Sequence, residues 1–433
     1  MRPSEGWRPE WEQYIQILQD NVIPSLGCTE PISTAYATAL AVELLNELPD
    51  QIQVYVSGNL MKNGMGVGVP GTGMVGLPIA AAAGAVGGDP GAELEVLKNI
   101  TPEHVGRAKV MLDSGQVSVQ IKEVPEVLYS EVLVSRGEHH ARVIIKDHHT
   151  QVVLKELDGK TVFSTQEKND ESHNDGSSAT LSVASIYEFA TQAPYDKIRF
   201  ILDAACLNQT ISAEGLSGSY GLKVGRTLQQ NISQGLLSED LITLAMMRSS
   251  AASDARMDGA MLPAMSNSGS GNQGIAATMP VVAVADHLGC GEEKLARALI
   301  LSHLIAIYIK THLDTLSAMC GATTAGTGAS CGITWLLGGE LEQVECAIFN
   351  MVGDIAGIFC DGAKACCSMK VSTSAGAAVK ASLMAINNIR VSGQEGIIAG
   401  CVEETIDNLG LLGNQGMRET DRMILKIMTS KSV

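Results

Sequence analysis

Paired C-x2-C motifs are missing from this sequence, although it carries ten cysteines in 433 residues. Their absence excludes zinc-ribbon and ferredoxin-type ligand spacing. Aromatic residues are scarce, 4% of a chain that is 45% hydrophobic, so small and aliphatic side chains have to fill the interior. The 45 glycines and 18 methionines fit that demand, because small side chains let helices approach closely and Met fills irregular gaps. A basic surplus is also lacking: 30 Lys and Arg face 47 Asp and Glu, a net charge of −17. That excludes nucleic-acid binding through a basic face, but a few placed cations can still hold an anionic substrate. The opening "MRPSEGWRPEWEQ" lacks the profile of a secretory leader. The uncharged stretch Gly64–Gly88, 25 residues long, holds nine glycines and two prolines, a poor composition for a bilayer span. The expectation is a cytoplasmic protein with no membrane segment and with reduced thiols.

The length predicts two or three domains. Residues 1–90 read as helices around a strand, "QIQVYVSG", and a glycine-rich loop, "NGMGVGVPGTGMVG". Between about 107 and 163 the chain alternates Val and Ile with polar residues, which predicts four to six antiparallel strands. The polar segment 166–178 reads as a mobile loop. Beyond 180 nearly everything has helical spacing. The expected fold is mixed α and β: a predominantly helical body, 1–90 and 181–433, with a small inserted α/β domain, 91–180, containing an antiparallel sheet.

Several motifs fit chemistry poorly. The overlapping G-x-G-x-x-G matches at Gly66–Gly76 stand too far beyond the strand for a dinucleotide fold, although such a loop can still offer amides to a carboxylate. "GASCG", with Ser330 as nucleophile, has no strand before it. "EHH" (Glu138–His140) and "DHH" (Asp147–His149) lie on expected neighbouring strands, where cross-strand histidines can bind a metal or one of them can serve catalysis; adjacent residues face opposite sides, which favours exposed histidines over a metal pair. "SNSGSGNQG" (Ser266–Gly274) has no apolar residue and reads either as a linker or as a polar cradle at a helix start, with Asn267, Ser268, Asn272 and Gln273 as its anchors. Cys320, Cys331, Cys346, Cys360, Cys366 and Cys367 crowd into 48 residues, which points either to buried packing or to a metal or cluster site. Cys28, in "GCTEP", precedes a predicted helix, whose start can lower a thiol pKa.

Taken together, "GCTEP", "KNGMGVGVPGTGMVGLPIAAAAGAVGGDP", "MSNSGSGNQGI" and "CDGAKACCSMK" resemble the cysteine desulfidase and iron–sulfur L-serine dehydratase alpha-chain family, with the desulfidase branch the nearer. The likeness spans almost the whole chain. It implies a [4Fe-4S] cluster, no pyridoxal phosphate, and β-elimination from a small amino acid to pyruvate and ammonia, with sulfide or water released. By resemblance the cluster ligands fall on Cys320, Cys360 and Cys367, with Cys366 as the alternative to the last, and the reactive cysteine falls on Cys28. The chain ends "KIMTSKSV" without the terminal cysteine of the dehydratase branch, which favours an open fourth iron site. Cys28 and Glu30 are rival bases for the Cα proton. Asn63 and the Gly71, Thr72 and Gly73 amides are candidates for the substrate carboxylate, with Lys364 and His312 beside the cluster cysteines. A homodimer is expected from base rates alone. A non-catalytic iron–sulfur sensor or carrier is the alternative of another class.

Overall fold

The computed structural model describes residues 7–165, 181–313 and 318–431. The polar segment 166–178 therefore lies outside the described residues. The fold is mixed α and β, a helical body against one six-stranded sheet.

In spatial order the strands are Val117–Ile121, Gln51–Val56, Tyr129–Arg136, His139–Lys146, Val152–Leu157 and Lys160–Ser164. All neighbours are antiparallel except the first pair, where Ile52 stands opposite Val117 in parallel register. The expected antiparallel sheet is thus mixed. Its second strand comes from residues 51–56, so the sheet reaches across position 90 in sequence. Val54, Val132 and Val143 point into one core with the helices Thr29–Leu45 and Leu77–Gly87. That alternation of buried valines is the pattern that predicted strands here.

The helical body has its own core, running from Trp11 and Phe189 through Leu299 and Ile305 to Phe349. Its helices meet at very short range. A Cβ on Gly215 would stand 1.9 Å from the Ala251 carbonyl oxygen, and one on Gly328 would stand 2.2 Å from that of Ser302. The scarcity of aromatics and the wealth of glycine are two sides of this packing.

Two short pairings connect distant parts of the chain and place the site. Pro24–Leu26 pairs antiparallel with Pro263–Met265, which brings the segment before Cys28 beside the segment before "SNSGSGNQG". An isolated bridge joins Met319 to Phe359, with Cys320 N–H donating to the Ile358 carbonyl at 3.0 Å and Cys360 N–H to that of Ala318 at 2.6 Å. Two cysteines forty positions apart are thereby set side by side. Gly27 adopts φ +72°, and a Cβ there would meet Pro70 at 2.4 Å. The first residue of "GCTEP" is glycine for both reasons.

Among the described residues, no helix is long and apolar enough to cross a membrane. Gly215→Ala is expected to destabilise the protein by about 1–3 kcal/mol through overpacking against the Ala251 backbone. Thermal melting of the variant beside the parent checks this, and an unchanged melting temperature would show that the two helices can separate freely.

Candidate active site

Four helices begin at one cavity. Cys28 caps Thr29–Leu45, Ser270 caps Gly271–His287, Cys320 caps Gly321–Leu336, and Cys367 opens the helix Cys367–Ala385. Cys28, Ser270, Cys320 and Cys367 all line the cavity. A helix start carries unpaired amides and a partial positive charge, although at the last of the four the Cys367, Ser368 and Met369 N–H groups already donate to the Lys364, Ala365 and Cys366 carbonyls. The convergence of the helix starts makes a local anion site inside a strongly acidic protein. The free space is about 110 Å³, many times the roughly 10–15 Å³ that one water needs.

One wall is made of thiols. Cys320, Cys360 and Cys367 all face this cavity, whereas Cys366 does not line it. All ten cysteines are free. Burial, followed by the neighbouring Cys360 and Cys367 thiols, pushes Cys320 up to about 12. Burial and Cys360 push Cys367 to about 12 as well. Lys370 also lines the wall. Its Nζ donates to Asp361 Oδ1 at 2.5 Å and to the Phe359 carbonyl at 2.9 Å. Among the described residues, no three His, Cys, Asp or Glu side chains converge as ligands of a single metal ion would. Cys331 and Cys346 are buried helix residues away from this wall.

Cys28 joins the thiol wall through packing: it clusters with Val67 and Met257, against which Ala363 and Cys367 also pack. Its Sγ donates to Glu30 Oε2 at 2.9 Å. The helix start does not acidify it. Burial, and then the Glu30 charge, raise the Cys28 thiol well above its ordinary value. This corrects the lowered value expected from sequence, because desolvation and a carboxylate two residues away outweigh a helix dipole. Burial alone would raise Glu30 too. The His149 ring, the Cys28 thiol and Arg256 more than offset it, so Glu30 is held below its ordinary value and the shared proton rests on sulfur. Asn63 Nδ2 donates to Glu30 Oε1 at 3.2 Å.

Four buried polar atoms in the lining have no partner: Asn63 Oδ1, His149 Nε2, Arg256 Nε and Gln273 Oε1. Buried polar groups are normally satisfied, so four orphans around one cavity mark a ligand site. Of the other anchors read from sequence, Ser268 and Asn272 line the cavity and Asn267 does not. Asn267 holds the loop, its Nδ2 donating to the His303 carbonyl at 3.2 Å.

Gly71, Thr72 and Gly73 lie outside the lining. They close a small hairpin in which Thr72 Oγ1 donates to the Val69 carbonyl at 2.8 Å. Lys364 turns instead to Asp361, 3.1 Å away, and His312 to Asp407 at 3.3 Å.

The sequence reading missed four basic residues of this lining, His149, Arg256, Lys310 and Lys370. His149 sits in the turn after the strand His139–Lys146, where Asp147 has φ +69°. It packs on Gly269 of "SNSGSGNQG", and burial holds its pKa below the ordinary value. The "DHH" motif is therefore no exposed strand pair, while in "EHH" His139 and His140 are solvent-facing and paired with Asp158. Arg256, 2% exposed, fits only because residue 271 is glycine: a Cβ there would stand 2.1 Å from its Nε. Nothing in the local pattern "SDARMDG" marks it.

A cavity walled by three free thiols and faced by an ionised carboxylate and an arginine has the groups to hold a small charged molecule. The serine dehydratase alpha chain family model matches residues 91–426. A UPF0597 protein of Photobacterium profundum is 55% identical over 97% of this chain and 99% of its own length. Others from Aeromonas hydrophila and Yersinia enterocolitica are 54% and 52% identical, over 98% and 97% of this chain and 97% of their own lengths. The chain belongs to the serine dehydratase alpha chain family.

The raised thiols have a direct readout. In metal-free protein, alkylation of Cys28, Cys320 and Cys367 is expected to set in at higher pH than for an ordinary thiol of pKa about 8.5, while the exposed Cys206 and Cys401 label first. Peptide mass spectrometry across pH 6–11, run at roughly one-unit steps either side of that value, tests this. Cys28 labelling fully at neutral pH would show that it is acidified after all.

Proposed function

We propose that this protein is a lyase that carries out L-cysteine + water → pyruvate + ammonia + sulfide, with a [4Fe-4S] cluster held by Cys320, Cys360 and Cys367. The observation that carries this reading is the meeting, in one cavity, of a three-thiol wall with four unpartnered polar atoms. The thiols fit the cluster by number and placement. In such a cluster each cysteine ligates its own iron, so the three sulfurs need not converge on a point, and three ligands leave one iron free. Thiols pushed to about 12 become thiolates when a metal binds them. When bound, the cluster supplies a thiophilic Lewis acid for the departing sulfur.

The remaining groups complement an amino-acid zwitterion. Arg256 Nε and the amides at the start of Gly271–His287 are donors for the carboxylate. Glu30, ionised, only accepts, which fixes Asn63 with Nδ2 toward it and Oδ1 toward the cavity, an acceptor for the ammonium. Gln273 Oε1 is a second acceptor, and His149 stands on the ammonium side beside Glu30.

Cys28 and Glu30 share one proton. A carboxylate held below its ordinary range is too weak a base for a Cα proton. A thiolate whose conjugate acid is pushed up is a stronger one. The thiol proton passes along the Cys28–Glu30 hydrogen bond to Oε2 only as an uphill step, because at rest it stays on sulfur; the thiolate so formed takes the Cα proton, the Cβ–S bond breaks with sulfide leaving and taking the proton from Glu30, and water hydrolyses the resulting enamine to pyruvate and ammonia. L-Serine dehydration is the second reading, favoured by the family's description. Support for the thiol substrate comes from the apolar side chains beside the sulfur wall, Leu313, Met319 and Val371, which suit a thiol better than a hydroxyl.

Anaerobically reconstituted protein is expected to release pyruvate and sulfide from L-cysteine faster than pyruvate from L-serine, measured side by side. Pyruvate from neither would overturn the lyase reading, and a serine preference would move it to the dehydratase. Cys28→Ala and Glu30→Gln should each lower kcat by about 10²–10⁴-fold with iron content unchanged. Arg256→Gln should chiefly raise KM. Full turnover in Cys28→Ala would remove the thiol from the proton transfer.

A further inference from the structure

Lys62 is 1% exposed and among the largest side chains sealed inside the protein, yet the chemistry above makes no use of it. It lies in the helix Gly58–Gly64, next to Asn63. Its ammonium forms an ion pair with Asp421, which belongs to the helix Arg418–Thr429, and donates to the Cys360 backbone carbonyl at 3.4 Å. Its own carbonyl presses on the same loop: Gly362 adopts φ +95°, and a Cβ there would stand 2.2 Å from the Lys62 oxygen. The loop after Cys360 is thus fitted to Lys62 on both sides.

The helix that supplies Asp421 buries only Ile424 among its side chains, and none of its residues lines the cavity. A buried ammonium without a carboxylate is strongly disfavoured. Lys62 therefore stays where it is only while Asp421 is present, and Cys360 shares that ammonium.

We propose that Lys62 and Asp421 are positioning residues for Cys360. The pair holds loop 360–362 so that the Cys360 thiol faces the cavity, which makes the helix Arg418–Thr429 part of the cluster site without touching a ligand. The inference rests on the cluster reading of the previous section and concerns how one ligand is held.

Four variants test it: Asp421→Asn, Lys62→Met, Lys62→Arg, and Arg422→Gln as a control. Arg422 is exposed on the same helix and paired with Glu419. The first measurement, on metal-free protein, is the alkylation rate of Cys360 relative to Cys401. The second, on reconstituted protein, is the rate of iron loss to a chelator. Asp421→Asn and Lys62→Met are expected to speed both by about tenfold or more, the scale seen when groups behind metal ligands are removed. Arg422→Gln should change neither, and Lys62→Arg should recover most of the iron retention. Rates in Asp421→Asn that match the parent would overturn the proposal. Should Lys62→Met not fold, Asp421→Asn, at a partly exposed position, decides. Should the parent bind no iron, the cluster reading falls, and the Cys360 alkylation rates still decide whether the pair positions this loop.

Discussion

Four helix starts aimed at one cavity are the arrangement on which the rest of the structure depends. The chain is acidic overall, and long-range attraction cannot collect an anionic metabolite or several thiolates at one place. Short-range dipoles can, because the unpaired amides of a helix start act within its first turn. Arg256, Lys310 and Lys370 line the same cavity and add positive charge. Each helix start is fixed by something remote in sequence. The pairing of Pro24–Leu26 with Pro263–Met265 holds the first two, the Met319–Phe359 bridge the third, and the loop fitted against Lys62 the fourth.

Bringing four helix starts so close is a packing problem, and glycine solves it. Between two of these helices, Gly321–Leu336 and Cys367–Ala385, a Cβ on Gly326 would stand 2.0 Å from Ser374 Oγ. The same device works inside the site, where Gly271 makes space for Arg256 and Gly321 for Gln273. A richer aromatic content would have filled a core of this size more simply. It would also have pushed these helices apart and dispersed the site.

Proton placement in the site follows from desolvation set against neighbours. Cys28 and Glu30 are both buried, yet they move in opposite directions, because Glu30 has the His149 ring, the Cys28 thiol and Arg256 around it while Cys28 faces a carboxylate. The result is a proton on sulfur beside an ionised carboxylate. A helix-start cysteine read in isolation leads to the reverse expectation, since neighbours two residues away in sequence and a hundred residues away both enter the balance.

The sequence by itself determined the helical body and the strands of the valine-rich region. These are matters of periodicity, composition and short patterns, which survive without coordinates. The tertiary structure alone decided which polar residues share the cavity. His149 reaches it from a turn that looked like an exposed strand, and Arg256 and Lys62 lie in stretches with no pattern to mark them. Gly71–Gly73, for all its glycine, closes a hairpin elsewhere. The physical reason is that burial and pairing of a polar group are set by what folds against it. A local pattern records which face of its own element a residue occupies, while the partner that makes a buried charge tolerable, Asp421 for Lys62 or Gly271 for Arg256, is chosen by contacts across the fold.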